Sequence, residues 1–261
     1  MPDRHQTSRY RGETIMRAIL TSLDRRWRRR QPGFPPLRWQ TCLFITANIV
    51  LLSALLLDQP VGAGMKHMAP PIHFLGRMLT DFGESGWIIV VSAFLCIEGW
   101  VGSRLLKSCR CRYQAAIASR IGGFFLVSIV LSGLVANILK RIIGRARPVH
   151  FDDWGILGFS PFSNSAAFQS FPSGHATTIG AFFAALIFLF PRYRIIFAIC
   201  AIWLAATRVM VGAHYPSDVI AGLALGAWFS FMMAIVYSRY GLLFKMDQNG
   251  WPIPRLPIPR K

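Results

Sequence analysis

Apolar residues in this chain gather into runs separated by polar and basic stretches. The runs fall at about 41–57, 86–106, 115–139, 175–190, 195–211 and 218–237. A helix needs about 20 mostly apolar residues to cross a bilayer, so the pattern predicts about six transmembrane helices in one bundle. Asp58-Gln59-Pro60 ends the first run and Pro191 ends the fourth, which opens on Pro172-Ser173-Gly174-His175. Residues 59–85 form a long connection with Gly, Pro, Met and two histidines, His67 and His73. Upstream, Ile15, Ile19, Leu23 and Trp27 recur every four residues with Met16 and Leu20 beside them, while Arg17, Asp24, Arg25 and Arg28 fall elsewhere on the wheel. That spacing fits an amphipathic helix on an anionic leaflet; a solvated arm whose arginines only set topology fits equally. The tail, WPIPRLPIPRK, carries proline too often for a regular helix.

Composition agrees. The 261 residues are 53% hydrophobic and 15% charged, where a soluble domain has nearer a quarter charged. The expected fold is therefore an all-α polytopic membrane protein. Its parts are a basic arm over 1–40, a six-helix domain over 41–240 and a Pro-rich tail over 241–261. The first apolar run starts too far in for a cleaved signal peptide, so it is expected to stay as an anchor. The net charge of +18 brings no recognisable nucleic-acid-binding fold with it, so no nucleic-acid partner is expected, and no protein partner is implied. The basic residues instead set orientation. The arm, the 104–112 loop (Arg104, Lys107, Arg110, Arg112), the Arg192/Arg194 turn and the tail alternate onto one side. The positive-inside rule makes that side cytoplasmic, with both termini. Cys42, Cys96 and Cys200 lie in apolar runs, and Cys109 and Cys111 in a basic loop; all five are expected to be reduced and structurally minor. No internal repeat suggests a two-halved transporter.

The 140–174 segment and the 208–217 turn fall on the opposite, outer side, and there the cations of KRIIGRARP break the charge rule. A bound phosphate would account for them. Arginine offers phosphate two parallel hydrogen bonds. Lys140 and Arg147 are seven apart, nearly two turns, and would share a face on a continuing helix that Pro148 ends near Arg147. Taken alone, the pair is better explained by interfacial snorkelling, which is common at helix ends. In FPSGH, Ser173 suits an N-cap, Gly174 admits close backbone approach, and the helix N-terminus attracts anions. An ordinary capped span with an interfacial His175 is the plain alternative. In TRVMVGAHYPSD, Asp218 follows His214 by four residues, near Arg208. A carboxylate beside a histidine fixes its tautomer, and the histidine can then serve as nucleophile or base. Asp218 would also suit a helix N-cap.

Together the three strings resemble the type 2 phosphatidic acid phosphatase family, related to the vanadium haloperoxidases, whose pattern is K-x6-RP, PSGH and SR-x5-H-x3-D. This chain departs at one position: Thr207 stands where the family has Ser, which keeps the hydroxyl. The resemblance implies that His214 attacks phosphorus, Asp218 orients it, and His175 acts as general acid and then base. It implies that Lys140, Arg147, Ser173, Gly174 and Arg208 hold the phosphate. No metal and no cofactor are implied.

The resemblance makes the expected activity hydrolysis of a phosphomonoester or pyrophosphate on a membrane lipid: phosphatidate, phosphatidylglycerophosphate, an isoprenyl pyrophosphate or lipid A 1-phosphate. Transfer of the phosphoryl group to a second lipid is the runner-up. A non-enzymatic transporter or binding protein for anionic lipids would keep the cations but not need both histidines and Asp218. The expected setting is a bacterial inner membrane with the site periplasmic. Phe151, Trp154, Phe159, Phe162, Phe168 and Phe171 suggest an interfacial lid or a plain aromatic belt. Asp81 and Glu84 suit capping of the second span, or contact with a sugar headgroup. His67 and His73 are weaker candidates for substrate contact.

Overall fold

The structure, a computed structural model, describes residues 39–65, 70–248 and 250–255. The expectations for residues 1–38 and for His67 lie outside these, as do the side chains of His73 and Asp81. The chain divides into two compact units, one over 38–234 and one that includes the residues from 235 onward.

Every predicted apolar run in the first unit is a helix. They are α1 (Trp39–Leu56), α4 (Ser85–Leu105), α5 (Cys109–Ile143), α6 (Gly174–Leu189), α7 (Arg194–Met210) and α8 (Pro216–Arg239), which continues into the second unit. The long connection adds α2 (Asp58–Gly64) and α3 (Pro70–Thr80). Large apolar side chains such as Phe44, Val90, Phe94, Ile195 and Ile202 lie exposed on these helices, as lipid-facing surfaces require. By length and composition four helices can cross a bilayer, and a fifth if α1 and α2, bent by 43°, form one broken span. The sixth, α6, has only 16 residues, about 24 Å at 1.5 Å per residue. Its burial explains the short length: ten of its residues are buried against other helices, so protein rather than lipid surrounds it.

Two boundaries differ from the sequence expectation. Helix α5 begins at Cys109 rather than near 115, because nothing in CRCRYQ breaks a helix. Arg110, Arg112, Cys109 and Cys111 therefore belong to its first turns rather than to a loop. At its other end α5 stops at Ile143, not near Arg147. Gly144 takes the left-handed conformation (φ +62°) and donates its N–H to Lys140 O, the usual glycine cap. The terminator is this glycine, which precedes Pro148.

Helix α6 lies between α5 and α7, and α3 rests on α7. Ala176, Ile179, Phe183, Ala201, Ala205 and Val219 make the apolar core between α6, α7 and the start of α8. Helices α6 and α8 meet backbone to backbone: a β-carbon on Gly226 would lie 2.0 Å from Thr177 O, and one on Gly180 2.3 Å from Leu223 O. Small residues permit such an approach where lipid supplies no hydrophobic drive for helix association. The contact fixes the N-terminus of α6, with His175, against that of α8, with Asp218. In the second unit, β1 (Phe244–Met246) pairs antiparallel with β2 (Pro252–Pro254), so the proline spacing of the tail produces a short strand pair.

Candidate active site

The three strings converge at one end of the bundle, where α5 and α7 finish and α6 and α8 begin. Three features of the backbone bring them there. Gly144 turns the chain out of α5 and into an extended segment. Ala146 N–H donates to Gly158 O at 2.8 Å, Arg147 N–H to Ala167 O at 2.8 Å, and Ser170 N–H to Arg145 O at 3.0 Å. Arg145 bridges antiparallel to Phe159, and Arg147 follows in extended backbone (φ −78°, ψ 156°). Arg147 thus reaches the site from a strand-like segment, not from the helical face suggested by its spacing from Lys140.

The start of α6 is capped by Ser173, whose Oγ accepts from Ala176 N–H at 3.4 Å. Ser173 N–H donates to Asp218 O at 3.0 Å, tying the PSGH turn to α8. The Lys140 ammonium lies beside Gly174: a β-carbon there would sit 3.2 Å from Nζ. Asp218 caps α8 from its third position, accepting from Tyr215 N–H at 3.0 Å, as the acidic member of a capping box does. It therefore serves as helix cap and as partner of His214 together. Arg208 donates to Thr80 Oγ1 of α3, which steadies its guanidinium. Glu84 occupies the N-cap of α4 but makes no side-chain cap bond. Capping by Glu84 is therefore not what the structure shows; a long side chain is poorly suited to that position.

His214 is 2% exposed and Asp218 is fully buried. The His214 Nδ1 faces Asp218 Oδ2 at 3.8 Å and Ser170 Oγ at 3.5 Å, which leaves Nε2 directed away from the carboxylate. Burial pushes the imidazole pKa down to about 4, outweighing the Asp218 carboxylate that favours the cation. The ring is thus neutral at ordinary pH, with a lone pair free for reaction. We expect 15N imidazole shifts to show His214 still neutral at pH 5.5, where an unshifted histidine would be mostly charged; a protonated ring at that pH would contradict the geometry.

The charges around this pair divide into two kinds. Arg145 is bound to carboxylates on both sides (below). Lys140 and Arg147 form no ion pair with a carboxylate among the described residues. Burial lowers the Arg147 pKa from its ordinary value, against the pull of Asp218, and its Nε is buried with no hydrogen-bond partner. A half-buried guanidinium with a buried, unpartnered Nε is costly unless an anion completes it. Lys140, Arg147 and Arg208 all act electrostatically on His175, so the cations and both histidines share one electrostatic site. Among the described residues no three His, Cys, Asp or Glu side chains gather as metal ligands would.

All eight residues expected from the sequence lie in this cluster: Lys140, Arg147, Ser173, Gly174, His175, Arg208, His214 and Asp218. The sequence reading missed five more. Asp58, Arg145, Ser170, Tyr215 and Ser217 surround the far side of Asp218. Arg145 sat inside the string already singled out, and Asp58 was a carboxylate closing an apolar run. Nothing in the sequence marked Ser170 or Ser217. Outside the cluster, the 149–171 connection exposes Trp154, Phe159 and Phe162, and Trp154 packs edge-on to Phe168 at 5.6 Å.

Comparison with known proteins gives the chain a family. The PAP2 superfamily matches residues 122–241. A lipid A 1-phosphatase of Rhizobium johnstonii is 59% identical over 92% of this chain and 98% of its own length. A protein of the same name from Rhizobium etli is 59% identical over 86% and 96%. Among solved structures, a transmembrane PAP2 type phosphatidylglycerolphosphate phosphatase from Bacillus subtilis matches with TM-score 0.49 and 22% identity, covering 75% of this chain and 91% of its own. With its multi-pass helical fold and this level of identity over nearly a relative's whole length, the chain belongs to the PAP2 superfamily.

Proposed function

We propose that this membrane lipid phosphatase removes the 1-phosphate of lipid A through a phosphohistidine on His214. The observation that carries the substrate is the 59% identity to lipid A 1-phosphatases over almost their full length. The observations that support the chemistry are the neutral, carboxylate-backed His214 and the cations gathered around it.

Lys140, Arg147, Arg208 and the Gly174 amide at the start of α6 bind the phosphate oxygens, with the buried Ser173 hydroxyl behind them. The lone pair of His214 Nε2 attacks phosphorus in line with the lipid oxygen. As the P–N bond forms, the P–O bond to the lipid breaks, and His175, entering the step as the imidazolium that the bound phosphate's negative charge favours, gives that oxygen its proton. His175 then takes a proton from water, whose oxygen attacks phosphorus. The P–N bond breaks and its electron pair returns to Nε2. Asp218 stabilises the positive charge that His214 carries while phosphorylated. The cations stabilise charge on the equatorial oxygens, which is most of what phosphoryl transfer demands.

The basic starts of α5 (Arg110, Arg112) and α7 (Arg194) lie at the end of the bundle away from the site. Their position supports cytoplasmic termini and a periplasmic site in a bacterial inner membrane.

Purified protein in detergent, given lipid A phosphorylated at both ends, is expected to release the 1-phosphate alone. Release should survive EDTA and be inhibited by vanadate, which mimics the trigonal phosphoryl group. Faster release from phosphatidate or an isoprenyl pyrophosphate would overturn the substrate but leave the phosphatase. Labelled phosphate appearing on a second lipid would make the enzyme a phosphotransferase.

A further inference from the structure

The far side of Asp218 holds a charged cluster that touches neither phosphate site nor solvent. Asp218 Oδ1 accepts from Arg145 Nη1 at 2.7 Å. Its Oδ2 accepts from Ser170 Oγ at 2.6 Å and Tyr215 N–H at 3.0 Å. Beyond Arg145 lies Asp58, fully buried at the bend between α1 and α2. Asp58 Oδ2 accepts from Arg145 Nη2 at 2.8 Å, and Oδ1 from Ser217 N–H at 3.1 Å; the Ser217 hydroxyl also donates to Asp58. Arg145 uses its remaining donors on Ser217 Oγ (2.7 Å) and Ile156 O (3.3 and 3.4 Å), and its plane lies over the Tyr215 ring at 4.4 Å. With five N–H groups making five hydrogen bonds to four acceptor atoms, Arg145 has nothing left to offer a phosphate, although it sits two residues from Arg147.

The arrangement poses an electrostatic problem. Asp218 stabilises the charge on phosphorylated His214 only so far as its own charge is not cancelled. An arginine bound directly to Asp218 cancels it. Asp58 offsets that arginine, so the group Asp58–Arg145–Asp218 carries one net negative charge, which faces His214. Both carboxylates favour charged Arg145 and raise its pKa, although burial alone would lower it.

We propose that Asp58 is a positioning residue for catalysis: through Arg145 and Ser217 it orients Asp218 and preserves the negative charge that Asp218 presents to His214. This inference rests on the proposed role of His214 and Asp218. Asp58 touches neither substrate nor reacting atoms, so it should affect the chemical step and not phosphate binding.

The test is a double-mutant cycle in detergent micelles with a labelled lipid phosphate, using Asp58→Asn, Asp218→Asn and both together, with thermal melts in parallel. Asp58→Asn keeps the shape and still accepts from Arg145. It should lower kcat by about 10–100-fold, as loss of a partner one step removed from the chemistry does elsewhere, with KM within about 3-fold. In the Asp218→Asn background the same change should cost less than about 2-fold, because the route through Asp218 is already cut. Asp58→Glu, which restores the charge, should recover at least several-fold of the loss, and it decides the matter if Asp58→Asn fails to fold. The inference is overturned if Asp58→Asn keeps wild-type kcat, if its loss multiplies in the Asp218→Asn background, if KM rises in step, or if Asp58→Glu is no better than Asp58→Asn. If Asp218→Asn itself turns over normally, the role given to Asp218 and His214 falls first.

Discussion

Alanine at position 214 is expected to lower phosphate release by about 10⁴-fold or more, the scale of losing a covalent nucleophile. Among the described residues, the two nearest groups that could replace it are already committed. Ser170 is fully buried and its hydroxyl is committed to Asp218, and His175 is assigned to proton transfer. The variant should still fold and insert. His214 holds its neighbours only weakly, through the 3.5 and 3.8 Å approaches to Ser170 and Asp218, while Arg145, Ser170 and the Tyr215 amide still fix Asp218. Residual activity would come from the cations, which bind and polarise the phosphate without a nucleophile. Turnover within about 100-fold of wild type, in protein that melts normally, would refute the assignment of His214.

Arg147 carries the second large prediction, and there activity and stability should move in opposite directions. Its guanidinium is desolvated, has no carboxylate partner among the described residues, and leaves Nε unsatisfied. In the resting enzyme that is a cost; against a phosphate it is a preorganised charge. Replacing one such group typically costs about 10²–10³ in kcat, and Arg147→Met should fall in that range. The same change exchanges a half-buried charge with no carboxylate partner among the described residues for apolar volume, so the melting temperature should stay level or rise. Arg147→Lys should recover only part of the rate, because a point charge cannot bond two phosphate oxygens in parallel. Near-normal kcat in Arg147→Met, or a steep loss of stability, would show that Arg147 is a structural cation. The neighbouring Arg145 should behave the other way, since it is bound to Asp58 and Asp218 and its removal strands two buried carboxylates.

The apolar runs were legible because a bilayer demands long, unbroken hydrophobic segments, and each one formed a helix. Their ends were less legible. Pro148 looked like the natural end of α5, but Gly144 could take a left-handed turn earlier and did so. Residues 104–112 looked like a loop by charge, yet only 106–108 are one, and the basic residues from Cys109 on are helical because charge alone does not break a helix. The short α6 escaped the length rule because protein surrounds it. At the site, the residues proposed to face the phosphate were readable only because the three strings together resemble the family pattern; each string alone had a plain structural alternative. The group behind them was not. Asp58 reaches Asp218 only because the first span bends by 43°, and no local pattern links a residue in that bend to one 160 positions later. Ser170 and Ser217 act through hydrogen bonds that any serine can make. The sequence also hid which arginine is spent on carboxylates: Asp218 and Asp58, brought together from distant positions, bind Arg145 and leave Arg147 without a carboxylate partner among the described residues.

Rapid chemical quench of the wild-type enzyme with a 32P-labelled lipid phosphate, followed by peptide mapping, is the most direct measurement of the covalent step. The label is expected on the peptide containing His214, stable in base and lost in acid, as a phosphorus–nitrogen bond requires. Label on another side chain, or turnover with no labelled protein at any quench time, would contradict a mechanism built on that imidazole.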